Sequence, residues 1–145
     1  MRLRKTVATA IVSIGLLIPS PIAAKSEGRC PKWESLMKKY GLPVKTFSYI
    51  AWRESRCIPQ AVGWNYKQGK SYRNCRHSDF RHYKKCSAVK SFDSGLWQIN
   101  SSWYTLTKQI CGKTPQQGAL FEPDCNARVA KYLYEEGGGL VHWGM

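Results

Sequence analysis

Acidic residues are scarce in this chain. Nine Asp and Glu stand against 23 Lys and Arg, a formal net charge of +14 over 145 residues. There is no heptad run, no collagen period and no internal repeat, which excludes fibres and solenoids. The length is too short for two full-sized domains. Beyond the amino-terminal segment no stretch is apolar enough to span a bilayer. Disorder is excluded in turn by what is abundant: six Trp, eight Tyr and four Phe demand a packed interior.

Residues 1–24 read as a secretory signal peptide. Arg2, Arg4 and Lys5 form a positive start, Thr6 to Ile18 is an almost uncharged apolar run, and Ile22-Ala23-Ala24 offers a small residue for cleavage. The alternative, an uncleaved anchor, needs about 20 apolar residues, more than this run supplies. No Cys lies at the cut, which argues against a lipoprotein. Cleavage would take three positive charges and no acid from +14, leaving +11 on residues 25–145. A secreted or wall-associated protein of that charge is drawn to polyanions. Cell-wall polymers, anionic lipid surfaces and nucleic acid all qualify by charge.

All six Cys (Cys30, Cys57, Cys75, Cys86, Cys111 and Cys125) follow the leader. An even count in a small exported domain reads as three disulfides, with 15 pairings open. The set Cys30–Cys57, Cys75–Cys86, Cys111–Cys125 is the working one. Cys75, His77, His82 and Cys86 also have the makings of a tetrahedral zinc set. Export and seven Lys/Arg between Lys67 and Lys85 favour a disulfide-closed loop instead. No metal and no cofactor is expected.

Three helices are predicted. Trp33, Leu36, Met37 and Tyr40 give one helical face over 31–40, with Pro31 at its start and Gly41 at its end. Residues 43–56 repeat the pattern. Residues 123–136 form a third helix with Asp124 as N-cap, a stripe of Val129, Ala130, Tyr132 and Leu133, and glycines from 137 to stop it. Residues 63–91 read as a loop or small hairpin, 95–106 as a strand passing into a helix, and 112–123 as a connection. The fold class is α+β, mainly α: one disulfide-bonded domain with a small irregular or β region between helices.

Glu54 is the informative residue. It shares a helical face with Phe47, Ile50 and Ala51, which puts a carboxyl group where burial is expected. Desolvation raises a carboxyl pKa, and a protonated carboxyl near neutral pH is a general acid. The competing reading pairs Glu54 with Arg53, Arg56 or another base in a structural role. Downstream, Asp93-Ser94-Gly95-Leu96-Trp97-Gln98-Ile99-Asn100 brings a second carboxylate and two amides. Paired carboxylates with aromatics and amides are the parts of a glycosidase. Trp64, Trp103 and Trp143 are candidates for sugar stacking.

At these residues the sequence resembles the lysozyme-like muralytic enzymes, most closely the soluble lytic transglycosylase (SLT) domain in its small form from actinobacteria and their phages. The resemblance is carried by Phe47 to Ala61 with Glu54-Ser55, by Asp93 to Asn100, and by Leu120 to Ala127 leading into Tyr132-Leu133. Three motifs in order cover most of residues 43–136. The resemblance implies a lysozyme-like fold, Glu54 as the catalytic acid, and Ser55, Gly95, Gln98, Asn100 and Tyr132 as substrate-binding residues. Asp93 resembles the second carboxylate of animal-type lysozymes. The chain departs from the family in a longer stretch between Glu54 and Asp93, which holds the basic loop 64–90, and in Trp97, where Met or Leu is usual.

The implied substrate is the β-1,4 bond between N-acetylmuramic acid and N-acetylglucosamine in peptidoglycan. Glu54 protonates the leaving oxygen. Either the muramic 6-hydroxyl then attacks, giving a 1,6-anhydro product, or Asp93 supports a retaining hydrolysis. The expected partners are glycan strands and anionic wall polymers, met by a monomer without membrane insertion once the leader is gone. A non-catalytic glycan or polyanion binder is one rival. An exported nucleic-acid binder is another, but no nucleic-acid motif is present.

Overall fold

In the computed structural model, residues 27–71, 73 and 86–145 are described. The predicted leader and Cys75, His77 and His82 lie outside them, as do Arg76, Arg81, Lys84 and Lys85.

A short 3-10 turn at Pro31–Trp33 leads into α1 (Glu34–Lys39). Helix α2 (Val44–Ser55) buries Phe47, Ile50 and Ala51. Three antiparallel strands follow: β1 (Val62–Tyr66), β2 (Val89–Ser94) and the two-residue β3 (Ile99–Asn100), in the order β1-β2-β3. In register, Gly63 faces Asp93 on β1–β2, and Asp93 faces Asn100 on β2–β3. Helix α3 (Tyr104–Cys111) and two 3-10 turns connect to α4 (Pro123–Glu135). A final 3-10 turn spans Gly139–Trp143. This is the mainly helical α+β arrangement that the sequence predicts, with the hairpin placed between α2 and α3.

The core gathers around Phe47. Its ring meets the edges of Trp97, Tyr134 and Trp143 at centroid distances of 6.0, 5.3 and 5.3 Å. Trp97 is fully buried, and its indole N–H donates to the Phe47 carbonyl at 3.0 Å. The residue that departs from the family is therefore a core residue, not a stacking platform.

Two disulfides pair Cys30 with Cys57 and Cys111 with Cys125. Cys86 is also disulfide-bonded, which removes its thiolate from any zinc set. Cys30–Cys57 ties the start of the domain to the residue pair after α2, where Arg56 and Cys57 both take positive φ. Cys111–Cys125 joins the end of α3 to the first turn of α4 across 14 residues. Replacing both of these cysteines with Ser is expected to cost about 3 kcal/mol by the chain-entropy argument, read as a lower denaturant midpoint.

Asp124 does not cap α4. Glu122 stands at the N-cap and Pro123 at the first helical position. Asp124 turns instead to α1, accepting from Tyr40 Oη at 2.6 Å and Lys39 Nζ at 2.7 Å. The Lys39 ammonium and then the Tyr40 hydroxyl hold its carboxyl below the usual range. A lowered folded value stabilises above the ordinary carboxylate range and is lost as pH falls through it. Asp124→Asn should flatten the acid side of a Tm-against-pH curve slightly, since the pair is exposed.

Candidate active site

Glu54 is the penultimate residue of α2. Phe47, Ile50 and Ala51 on its face are fully buried, but the Glu54 side chain keeps 29% of its surface. The helix ends one residue later, so no further turn covers it. The solitary buried carboxyl that the sequence predicts is therefore corrected to a partly exposed carboxyl with a partner. Arg53 Nε donates to Glu54 Oε1 at 2.8 Å, and Arg53 Nη2 lies 2.7 Å from the same oxygen. Arg56 goes elsewhere, its guanidinium 4.4 Å from the centre of the Trp52 ring.

Arg53 also donates to the backbone carbonyl of Trp143. Trp143 is buried, and its indole N–H donates to the Trp97 carbonyl at 2.9 Å. The final turn is thus pinned to both α2 and the β2–β3 turn. With it comes His142, whose ring meets Trp103 edge-on at 5.5 Å.

Beside this turn lies a cavity of about 180 Å³, walled by Asp93, Gln98, Asn100, Trp103, His142 and Trp143 among others. Three of the predicted site residues meet here. Asp93 is held at both oxygens: Asn100 Nδ2 donates to Oδ1 and Asn65 Nδ2 to Oδ2, each at 2.7 Å. Gln98 adopts a left-handed φ of 47°, and its Nε2 donates to the carbonyls of Ala61 and Gly95, both at 3.0 Å. Glu54 and Arg53 do not line this cavity; Arg53 connects Glu54 to Trp143, which does. Of the three tryptophans proposed for stacking, Trp103 and Trp143 line it, while Trp64 packs against Phe92 at 5.7 Å.

Three predicted binding residues sit differently. The Ser55 hydroxyl is buried, 2.8 Å from the carbonyl oxygens of both Ala51 and Leu96. It clamps the end of α2 to the turn before β3 and faces no groove. Gly95, at φ 83°, is where the chain comes closest to α4. A Cβ there would lie 2.1 Å from the Leu120 carbonyl oxygen and 2.4 Å from Asn126 Nδ2. Its missing side chain makes room for protein, not for sugar. Tyr132 is 44% exposed and lines a separate groove of about 560 Å³ with Tyr40, Ile110, Arg128 and Lys131. On α4 the residue facing the cavity is its neighbour Leu133.

Asn126 is what the sequence reading overlooked. It is fully buried and completes a network between three segments. Its Oδ1 accepts from Trp97 N–H at 3.1 Å, and its Nδ2 donates to Ser94 O at 3.0 Å and Leu120 O at 2.9 Å. Ser55 and Asn126 therefore grip the 94–98 turn from opposite sides, and that turn presents Gln98 to the cavity.

The family model for the transglycosylase SLT domain matches residues 31–140. The chain belongs to this family. An SLT domain is peptidoglycan-directed and glycosidase-like, and the elements just described span its matched region. The last part of the cavity wall, His142 and Trp143, lies past the end of the match. Comparison with curated proteins finds no match. Among the described residues of this SLT domain no cluster of His, Cys, Asp and Glu is suited to a metal, and no helix is long and apolar enough to cross a membrane.

Proposed function

We propose that this SLT domain is an exported lytic transglycosylase with Glu54 as its general acid and base. Glu54 protonates the oxygen leaving the muramic sugar, and an oxocarbenium-like state develops. The same carboxylate then takes the proton of the muramic 6-hydroxyl as that oxygen closes the 1,6-anhydro ring. No water is consumed. The observation that supports the reading is the convergence of Asp93, Gln98 and Asn100 on one cavity, with the partly exposed Glu54 tied through Arg53 to Trp143 in its wall. Gln98 Nε2 and both amide atoms of Asn100 are engaged within the protein, which leaves Gln98 Oε1 to accept from a hydroxyl or acetamido N–H of an amino sugar.

The positive charge of the chain supports attraction to anionic walls. The leader-like segment and the disulfides support action outside the cytoplasm. Mass spectrometry of the sugars released from purified walls tests the proposal: anhydro-muramic ends are lighter than hydrolysed ends by one water.

One observation favours hydrolysis as a second reading. Asp93 is loaded with two amide N–H donors, an environment that suits a carboxylate kept for electrostatic support of a sugar cation. In that case Asp93→Asn lowers turnover by roughly a hundredfold or more and the products carry reducing muramic ends. In the transglycosylase reading the same variant loses less than about tenfold and the anhydro product persists.

A further inference from the structure

Three cations gather on the outer side of α2 with no acid among them. Lys45, Tyr49 and Trp52 stand at i, i+4 and i+7 on one stripe of the helix, and Arg56 at the C-cap continues it. Lys45, Tyr49 and Arg56 are exposed, and Trp52 is half-buried. Arg29 lies across the stripe, its guanidinium 4.0 Å from the centre of the Trp52 ring and 5.5 Å from that of Tyr49. The Arg56 guanidinium stands 4.4 Å from the same indole. A covalent link keeps the two together, since Arg29 and Arg56 each precede one half of the Cys30–Cys57 disulfide. The nearby carboxylates are engaged elsewhere. Glu27 pairs with Lys38, Glu34 accepts from the amides of Glu27 and Gly28, and Glu54 holds Arg53. Among the described residues no carboxylate pairs with Arg29, Lys45 or Arg56.

Like charges held together cost energy unless an anion offsets them, and contact with an aromatic ring returns only part of that cost. The Arg29 side chain makes no hydrogen bond among the described residues, and Arg56 makes one, from Nη1 to the Trp52 carbonyl at 3.3 Å. Stacked guanidiniums keep their N–H edges for a ligand, and such a fork matches phosphate oxygens. Spread over about 16 Å of helix, the three cations fit an anion repeated along a chain better than a single ion. The indole between them is a poor platform for a base: two guanidiniums lie within 4.4 Å of its centre, and it packs against the core. We infer that this stripe binds a phosphodiester-linked polyanion of the cell wall, an extended chain without bases, and so anchors the domain beside its substrate. A phosphodiester also stays ionised below the pH at which carboxylates take up protons. The wall as the source of the polymer rests on the proposed function; the binding itself does not depend on Glu54.

Titration calorimetry with poly(glycerol phosphate) tests this, with poly-glutamate, single-stranded DNA and phosphatidylglycerol vesicles as rival probes at matched charge. The parent protein should bind poly(glycerol phosphate) the most tightly of the four, and less tightly as salt is added. Arg29→Gln combined with Arg56→Gln should weaken that binding by about fivefold to thirtyfold, the range of two exposed charge pairs. Lys at both positions should keep part of it. A control, Lys90→Gln combined with Lys108→Gln, removes the same charge from exposed positions on β2 and α3 and should lose less than about twofold. Equal losses in the two double variants overturn the inference, because net charge alone would then carry the binding. Tighter binding of a rival probe by the parent overturns the choice of partner, and no binding of poly(glycerol phosphate) overturns the site. Melting curves check that each variant is folded. No bond is cleaved in this measurement, so a failed anchor is read apart from a failed transglycosylase, which wall clearing reports.

Discussion

Glu54→Gln should stop clearing of purified cell walls, with turnover falling by roughly a hundred- to ten-thousand-fold. Gln keeps the shape of the side chain and can still accept from Arg53, but it has no acidic proton to give. The Arg53 pair is partly exposed, so little stability depends on it. The Tm of the variant should stay close to that of the parent, which makes the loss chemical rather than structural. Turbidity decay with both proteins at equal concentration reads the effect. Equal clearing would remove Glu54 from the mechanism. Glycan pull-down without clearing, by parent and variant alike, would make the domain a binder.

The largest loss of stability is expected at Asn126. Asn126→Ala strands the Trp97 N–H and the carbonyls of Ser94 and Leu120 in a fully buried site. Each orphaned group costs about 1–3 kcal/mol, and a small cavity adds to it. The costs are not additive, and a total of about 3–5 kcal/mol is expected. Asn126→Asp should be no better, because a carboxylate cannot donate to two carbonyls. Denaturant unfolding with the disulfides intact measures the shift in midpoint. A shift below about 1 kcal/mol would show that the turn holding Gln98 does not depend on this amide. Wall clearing at a temperature where the variant remains folded should also fall, because the turn is then gripped from one side only, by Ser55.

Much of this was legible in the residues. Helical spacing locates α1, α2 and α4 within a few positions, and it puts Glu54 near the end of α2. The same spacing rule, applied once more, would have found Asn126. It shares a face with Val129, Ala130 and Leu133, and an amide on such a face needs buried partners. The resemblance implies a binding role for Gly95, but a glycine in a sequence shows only that space is needed, not that Leu120 and Asn126 fill it. Tyr132 fell outside the cavity because adjacent residues on a helix point about 100° apart, so Leu133 takes the inward direction instead. The Arg53 pairing was among the alternatives for Glu54, but choosing Arg53 over Arg56 takes a tertiary contact, the stacking of Arg56 on Trp52. The final turn carried no periodic signal. Its position follows from long-range bonds to Arg53 and Trp97, separated from Trp143 by 90 and 46 residues.

The left-handed backbone at Gln98 sets evolution two opposing tasks. A non-glycine residue there costs on the order of 1 kcal/mol of conformational strain. Glycine would relax it, but would also lose the amide that donates to the Ala61 and Gly95 carbonyls. Two such bonds are worth about as much as the strain they offset. Selection for heat resistance alone is therefore expected to leave this side chain in place, so an amide stays at the cavity wall whether or not a sugar is there to reward it.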